Sequence, residues 1–86
     1  SNKTSIEDTD MNEAVLTVLK SHFGADKVFE DSTNIIDDLG GDEFDVVDII
    51  IQIEEKLNIS IPEEETFDIV TVSALNEVVE KHVQST

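Results

Sequence analysis

The stretch DDLGGDEFDVVDIIIQIEEKL, residues 37–57, decides how this chain folds. Two adjacent glycines, Gly40 and Gly41, let the backbone turn sharply. Asp42 follows at once and suits a helix N-cap, with Asp45 three residues on at a capping-box position. Glu43 and Asp45 fall in the first turn, where the helix dipole favours negative charge. Apolar residues then recur at helical spacing, and Asn58 is a suitable C-cap. These features predict a helix over residues 42–57.

That helix has two apolar faces. At about 100° per residue, Val46, Ile49, Ile50, Ile53 and Leu57 share an arc of roughly 100°, wide enough to face a core. Phe44, Val47 and Ile51 lie on the other side, among Asp48, Glu54 and Glu55, with Asp45 and Gln52 flanking. One helix cannot turn both faces into one small core, so Phe44, Val47 and Ile51 are expected to be at least partly exposed and ringed by acids. Two readings follow. The long first loop folds over this side and buries it, or the side is a docking ridge, apolar for affinity and acidic for steering. On the second reading Phe44, Asp45, Val47, Asp48, Ile51, Glu54 and Glu55 are the partner-binding residues, and the partner presents a basic, apolar groove.

Working outward, Met11, Val15, Val18, Leu19 and Phe23 recur at helical spacing, with Leu16 alongside. They predict a first helix over residues 9–23, capped by Asp8 or Asp10 and stopped by Gly24. Residues 1–8 are polar and expected to be frayed or a tag remnant, leaving residues 9–84 as a single domain. The connection 24–41 is long but carries Val28, Phe29, Ile35, Ile36 and Leu39 as candidate core anchors. Pro62 makes residues 59–62 extended, and Glu63, Glu64 and Glu65 open a short helix over 63–68. Thr71 caps a last helix whose apolar face is Val72, Leu75, Val78, Val79 and Val83. The sum is an all-α fold: a small bundle of three main helices, one short helix and a long first loop.

Composition narrows the function. Eighty-six residues fit one small domain. With no cysteine, disulfides and thiolate metal sites are excluded. His22 and His82 are far apart in sequence and read as surface or helix-end residues. The net charge of −16 disfavours binding to nucleic acid or to anionic membranes and favours basic protein partners. No apolar run reaches membrane-spanning length and no signal peptide opens the chain, so a cytoplasmic monomer is expected. Asp37, Asp38, Asp42, Glu43 and Asp45 surround the glycine turn and can attract calcium or magnesium loosely, but the spacing does not fit an EF-hand. A solvated acidic surface explains them equally, and an acidic metal-binding structural domain stays as an alternative.

Gly40-Gly41-Asp42-Glu43-Phe44 also spells the pentapeptide of diguanylate cyclases. In that family it sits in a hairpin of a much longer α/β domain, beside upstream acids that hold metal and nucleotide. Here a helical period follows it and no clear strand run precedes it, so the enzyme alternative is disfavoured.

A different resemblance covers most of the chain. Within about residues 33–82, over which it runs without a gap, stand in order Asp37-Asp38-Leu39-Gly40-Gly41-Asp42, Phe44-Asp45-Val46-Val47-Asp48, Ile53-Glu54-Glu55-Lys56-Leu57, Ile61-Pro62-Glu63-Glu64-Glu65 and Ile69-Val70-Thr71-Val72. In order and spacing they resemble the acyl carrier proteins: the glycine turn, the recognition helix, the isoleucine-proline bend and the start of the final helix. The resemblance implies a carrier and not an enzyme, with basic partner enzymes docking on the second helix. In the family, a serine in an Asp-Ser-Leu motif receives 4′-phosphopantetheine, whose thiol holds the acyl group. Asp42 falls on the motif's aspartate and Phe44 on its leucine, and the serine position holds Glu43. A carboxylate cannot form the phosphodiester that a hydroxyl forms, so no cofactor is expected on the chain as written; with serine at 43 the arm is expected. Three readings of Glu43 stand side by side: a good first-turn residue, an engineered Ser-to-Glu change, or a natural carrier-like protein that is not loaded. Phe67 and Ile69 either line a pocket for an acyl chain or simply pack in the core.

Overall fold

The computed structural model describes residues 12–84. Residues 1–8, Met11 and the proposed caps Asp8 and Asp10 lie outside the described residues. Three helices, α1 (Glu13–Phe23), α2 (Glu43–Leu57) and α3 (Val72–Gln84), are joined by irregular segments and one 3-10 turn, Glu63–Glu65. Among the described residues β-pairing is confined to one isolated antiparallel bridge, Asn34 with Thr71. The fold is the expected all-α bundle.

α1 begins later than the apolar spacing suggests, because Asn12 is its cap. The Asn12 side chain accepts from the Ala14 N–H at 2.8 Å. The same residue ties α1 to α3: its amide donates to Asn76 Oδ1 and its Nδ2 donates to Glu80 Oε2, both at 2.8 Å. Gly24 ends the helix at φ 129°, a backbone region that glycine adopts freely.

The core gathers one side of every element. Val15, Val18 and Leu19 come from α1, and Val46, Ile49, Ile50 and Ile53 from α2. Val72, Leu75 and Val79 come from α3, and the connections add Ile35, Ile61 and Ile69. Leu57, Val78 and Val83 pack against this cluster while half-buried. Glu54 keeps the chain after α2 in place, since the Ile61 amide donates to its Oε2 at 2.7 Å.

The connection between α1 and α2 is structured by α3. The Ile35 amide donates to the Val70 carbonyl at 2.8 Å, Val72 donates back to Thr33 at 3.0 Å, and Ser73 donates to Asp31 at 2.9 Å. Ile35 is thereby fully buried, with Phe29 and Leu39 half-buried against the core. Val28 and Ile36, also read as anchors, are exposed instead. Ile36 turns outward because its neighbour takes the core position and the Asn34 side chain accepts the amides of both Ile36 and Asp37, closing a local turn.

One further expectation is corrected. The short helix over 63–68 is only the 3-10 turn Glu63–Glu65. Both Thr66 donors, its amide and its hydroxyl, go to the Glu63 carbonyl, and this side-chain bond competes with helix propagation. The two histidines, read as surface or helix-end residues, stand half-buried at helix ends. His22 Nε2 donates to Asp45 Oδ1 at 2.8 Å, linking α1 to α2, and His82 Nε2 donates to Glu65 Oε1 at 3.0 Å. The His22 bond, and then the Asp42 amide on the same carboxylate, hold Asp45 below the usual carboxylate range. The His82 bond does the same for Glu65.

Two outcomes follow from this packing. Ile35→Ala should lower urea-unfolding stability by about 2–5 kcal/mol, whereas Ile36→Ala should change it by about 0.5 kcal/mol or less; equal losses would show that the loop is not seated by Ile35. For Asp45, a folded-state pKa below the unfolded one stabilises the fold above the unfolded value, and that contribution vanishes as pH falls through the lowered value. The stability gap between the parent chain and Asp45→Asn should be full near pH 6 and close as pH drops below about 4. A gap that stays constant down to about pH 2 would sink the His22–Asp45 link.

Candidate functional site

The start of α2 is built by backbone constraints. Gly40 has φ 75°, in the left-handed region. At Gly41 a Cβ would come within 3.1 Å of the Ile35 carbonyl oxygen and 3.2 Å of the Phe23 ring, so a larger residue fits only if these neighbours give by a few tenths of an ångström. Asp42 then caps α2: its Oδ1 accepts the amides of Phe44 at 2.9 Å and Asp45 at 3.0 Å. Asp45 Oδ2 accepts the Asp42 amide at 2.8 Å, completing the capping box.

Glu43 is the first residue of α2 and is exposed. It lines a groove of about 490 Å³ between α2 and the segment that follows the 3-10 turn. The apolar walls are Ile36, Phe44, Val47, Phe67 and Val70, with Ile69 beneath them. Both charged residues of the lining, Glu43 and Glu63, are acidic. Phe44 is 72% exposed and Phe67 73%, so the two rings stand at the rim rather than in the core.

The residues singled out on α2 separate into groups. Phe44, Val47 and Ile51 are all exposed, so the first loop does not cover them. Phe44 and Val47 join the groove, while Ile51 lies outside it. Asp48 and Glu55 are exposed, and Glu55 borders a second depression with Thr17, Ser21, Gln52 and Lys56. Asp45 and Glu54 are turned toward the fold, Asp45 by His22 and Asp42, Glu54 by the Ile61 amide. Ile69 is 4% exposed in the core and also borders the groove.

Ile36 and Val70 were missed as groove residues. Each follows an isoleucine that is buried, Ile35 and Ile69. In each pair one isoleucine takes the core position and its apolar neighbour faces outward, so two adjacent apolar residues in a connection carry the signal that one of them is exposed.

Among the described residues no group of three or more His, Asp or Glu is placed to hold a metal ion. In the acidic cluster Asp38 Oδ2 accepts the Asn34 amide, and Asp42 and Asp45 are occupied by the capping box. A phosphodiester-linked arm needs a side-chain hydroxyl. The start of α2 offers carboxylates, and the hydroxyl of the groove lining, Thr66 Oγ1, already donates to the Glu63 carbonyl at 2.7 Å. The residues of this site therefore do not fit covalent attachment of such an arm. No helix of the described residues is long and apolar enough to cross a membrane.

Comparison with known proteins supplies the relatives of this fold. The family model for the phosphopantetheine attachment site matches residues 13–79. The acyl carrier protein of Syntrophobacter fumaroxidans (strain DSM 10017 / MPOB) is 30% identical over 73 residues, which cover 84% of this chain and 90% of that protein. On these two matches the chain belongs to the phosphopantetheine-attachment family of acyl carrier proteins, a family of carriers rather than enzymes.

Proposed function

We propose that this chain is a carrier-type docking module of fatty-acid, polyketide or related acyl-transfer pathways that remains unloaded in the form present here. It engages basic surfaces of partner enzymes through α2 and takes no 4′-phosphopantetheine, because Glu43 stands where the family's serine receives the arm. The observation that carries this reading is the start of α2 itself. Its backbone is held by the Asp42–Asp45 capping box, and its exposed first side chain is a carboxylate. Phe44, Val47 and Ile51 supply apolar contacts, and Asp48 and Glu55 supply charge that steers a basic partner. Asp45 and Glu54 act on the docking face indirectly, by holding the helix start and the Ile61 bend. The net charge of −16 also opposes self-association, which supports a monomer.

Incubation with coenzyme A and a phosphopantetheinyl transferase, followed by intact-mass measurement, tests the loading half. The chain should gain no mass, and Glu43→Ser should gain one arm. A mass gain on the parent chain would refute the block at position 43. No gain on Glu43→Ser would show that more than one residue prevents loading.

The docking half is read in the Glu43→Ser background. Asp48→Lys or Ile51→Ser should lower kcat/KM for loading by about tenfold, with far-UV circular dichroism unchanged. Glu77→Lys, an equal charge change on the exposed side of α3, should stay within about twofold of its parent. Equal slowing by Asp48→Lys and Glu77→Lys would reduce the role of α2 to bulk charge.

A further inference from the structure

The last turn of α1 meets the start of α2 at two points. His22 Nε2 stands 2.8 Å from Asp45 Oδ1, with the imidazole 19% exposed and the carboxylate 33%. The next residue, Phe23, meets the His22 ring edge-on with centroids 4.9 Å apart. The same Phe23 ring lies where a Cβ at Gly41 would come within 3.2 Å of it. The imidazole is therefore held between an aromatic ring and a carboxylate, beside the glycine turn.

Asp45 passes this contact on. Its two oxygens are divided: Oδ1 takes the His22 bond and Oδ2 takes the Asp42 amide at 2.8 Å. Asp42 in turn caps the amides of Phe44 and Asp45. One rigid carboxylate thus joins an imidazole on α1 to the backbone amide immediately before position 43. Asp42 and Asp45 complete the capping box by themselves, and the histidine adds a group whose charge changes.

Histidine is the side chain whose ordinary titration falls between about pH 5 and about pH 8. The His22 bond holds Asp45 below the usual carboxylate range, so the carboxylate stays ionised throughout that interval. With the imidazolium, the contact is an ion pair in the last turn of α1, where the helix dipole favours a cation. With the neutral ring, the Nε2–H hydrogen bond remains without the charge. The other charged groups of the surrounding elements have different places. Lys20 is the like charge in the same turn of α1. Glu55 and Lys56 of α2 border α1 beside Thr17 and Ser21. Asp38 of the loop accepts the Asn34 amide. On α3, Glu80 accepts from Asn12 at the other end of α1, and Lys81 and His82 pair with Glu65.

The geometry points to His22 as a protonation-dependent latch: the imidazolium tightens the capping box that presents position 43, and the neutral ring loosens it while the fold stays intact. The latch concerns the backbone of the unbound chain and does not rest on the docking reading above.

The test is an NMR titration of the isotopically labelled full chain. The Cε1 protons of His22 and His82, the two histidines of the chain, give separate midpoints. The Asp42 and Phe44 amide shifts should follow the His22 midpoint. Exchange of the Asp42, Phe44 and Asp45 amides with water is read against His22→Gln at each pH, which cancels the intrinsic pH dependence of exchange. Glutamine keeps a neutral donor and does not titrate. Below the His22 midpoint the parent amides should exchange about twofold to fivefold more slowly than those of the variant, and above it the two should agree. Asp45→Asn should abolish the coupling between the His22 proton and the Asp42 amide.

A ratio that does not change with pH would overturn the latch and leave His22 as a fixed structural bond. So would amide shifts at the start of α2 that follow the His82 midpoint, or that persist unchanged in His22→Gln. The parent titration uses no variant, so it decides the matter even where a substitution unfolds the chain.

Discussion

The hydrogen bond from the Ile35 amide to the Val70 carbonyl, 2.8 Å long, positions most of what lies between α1 and α3. It aligns residues 33–35 against 70–72, so that Val72 donates back to Thr33 and the Ile35 side chain enters the core. Once Ile35 is fixed, its own carbonyl accepts the Gly41 amide at 3.2 Å and sets where the glycine turn ends. Gly41 is packed so closely against that carbonyl and the Phe23 ring that the next residue, Asp42, has one place to begin α2. A loop without regular secondary structure thus fixes the start of the helix that carries the candidate site. The same bond points Ile36 and Val70 away from the core and toward the groove.

Charge is distributed with comparable order. The described lysines other than Lys27 stand in the last turns of the helices: Lys20 in α1, Lys56 in α2 and Lys81 in α3. His22 and His82 share two of those turns and hold the carboxylates of Asp45 and Glu65. Glu13, Glu43 and Asp45 occupy first turns. These residues sit where the helix dipole favours them, although Glu54 and Glu55 also stand near the C-terminal end of α2. The few cations are thereby drawn to helix C-terminal ends, and the groove at the start of α2 keeps an acidic rim.

Local signals made α2 legible before its structure was known. Its cap, its box residue, its apolar stripe and its left-handed C-cap Asn58 all lie within or beside one helix and match the observed element. The two-faced wheel placed Phe44, Val47 and Ile51 on the exposed side for the same reason: helical geometry alone decides it. What the sequence obscured depends on partners distant along the chain. Asn12 is a cap made rigid by Asn76 and Glu80, and Glu54 is committed by the Ile61 amide across the end of its helix. His22 and His82 are half-buried and paired with carboxylates many residues away. Ile35 and Ile36 are chemically alike, and only the pairing with Val70 determines which one is inside. The family was legible from motif order, whereas the groove required three segments to be seen together.

The capping box has a consequence for how readily this helix start can change its chemistry. Asp42 and Asp45 satisfy the exposed amides, Gly40 and Gly41 shape the approach, and the Glu43 side chain makes no hydrogen bond or ion pair among the described residues. Structure and reactivity are therefore assigned to different neighbours in the chain. Position 43 is a socket: a hydroxyl, a carboxylate or an inert side chain can be plugged in while the backbone around it keeps its shape. On the carrier reading proposed above, a fold organised in this way loses or regains a covalent attachment point without being rebuilt.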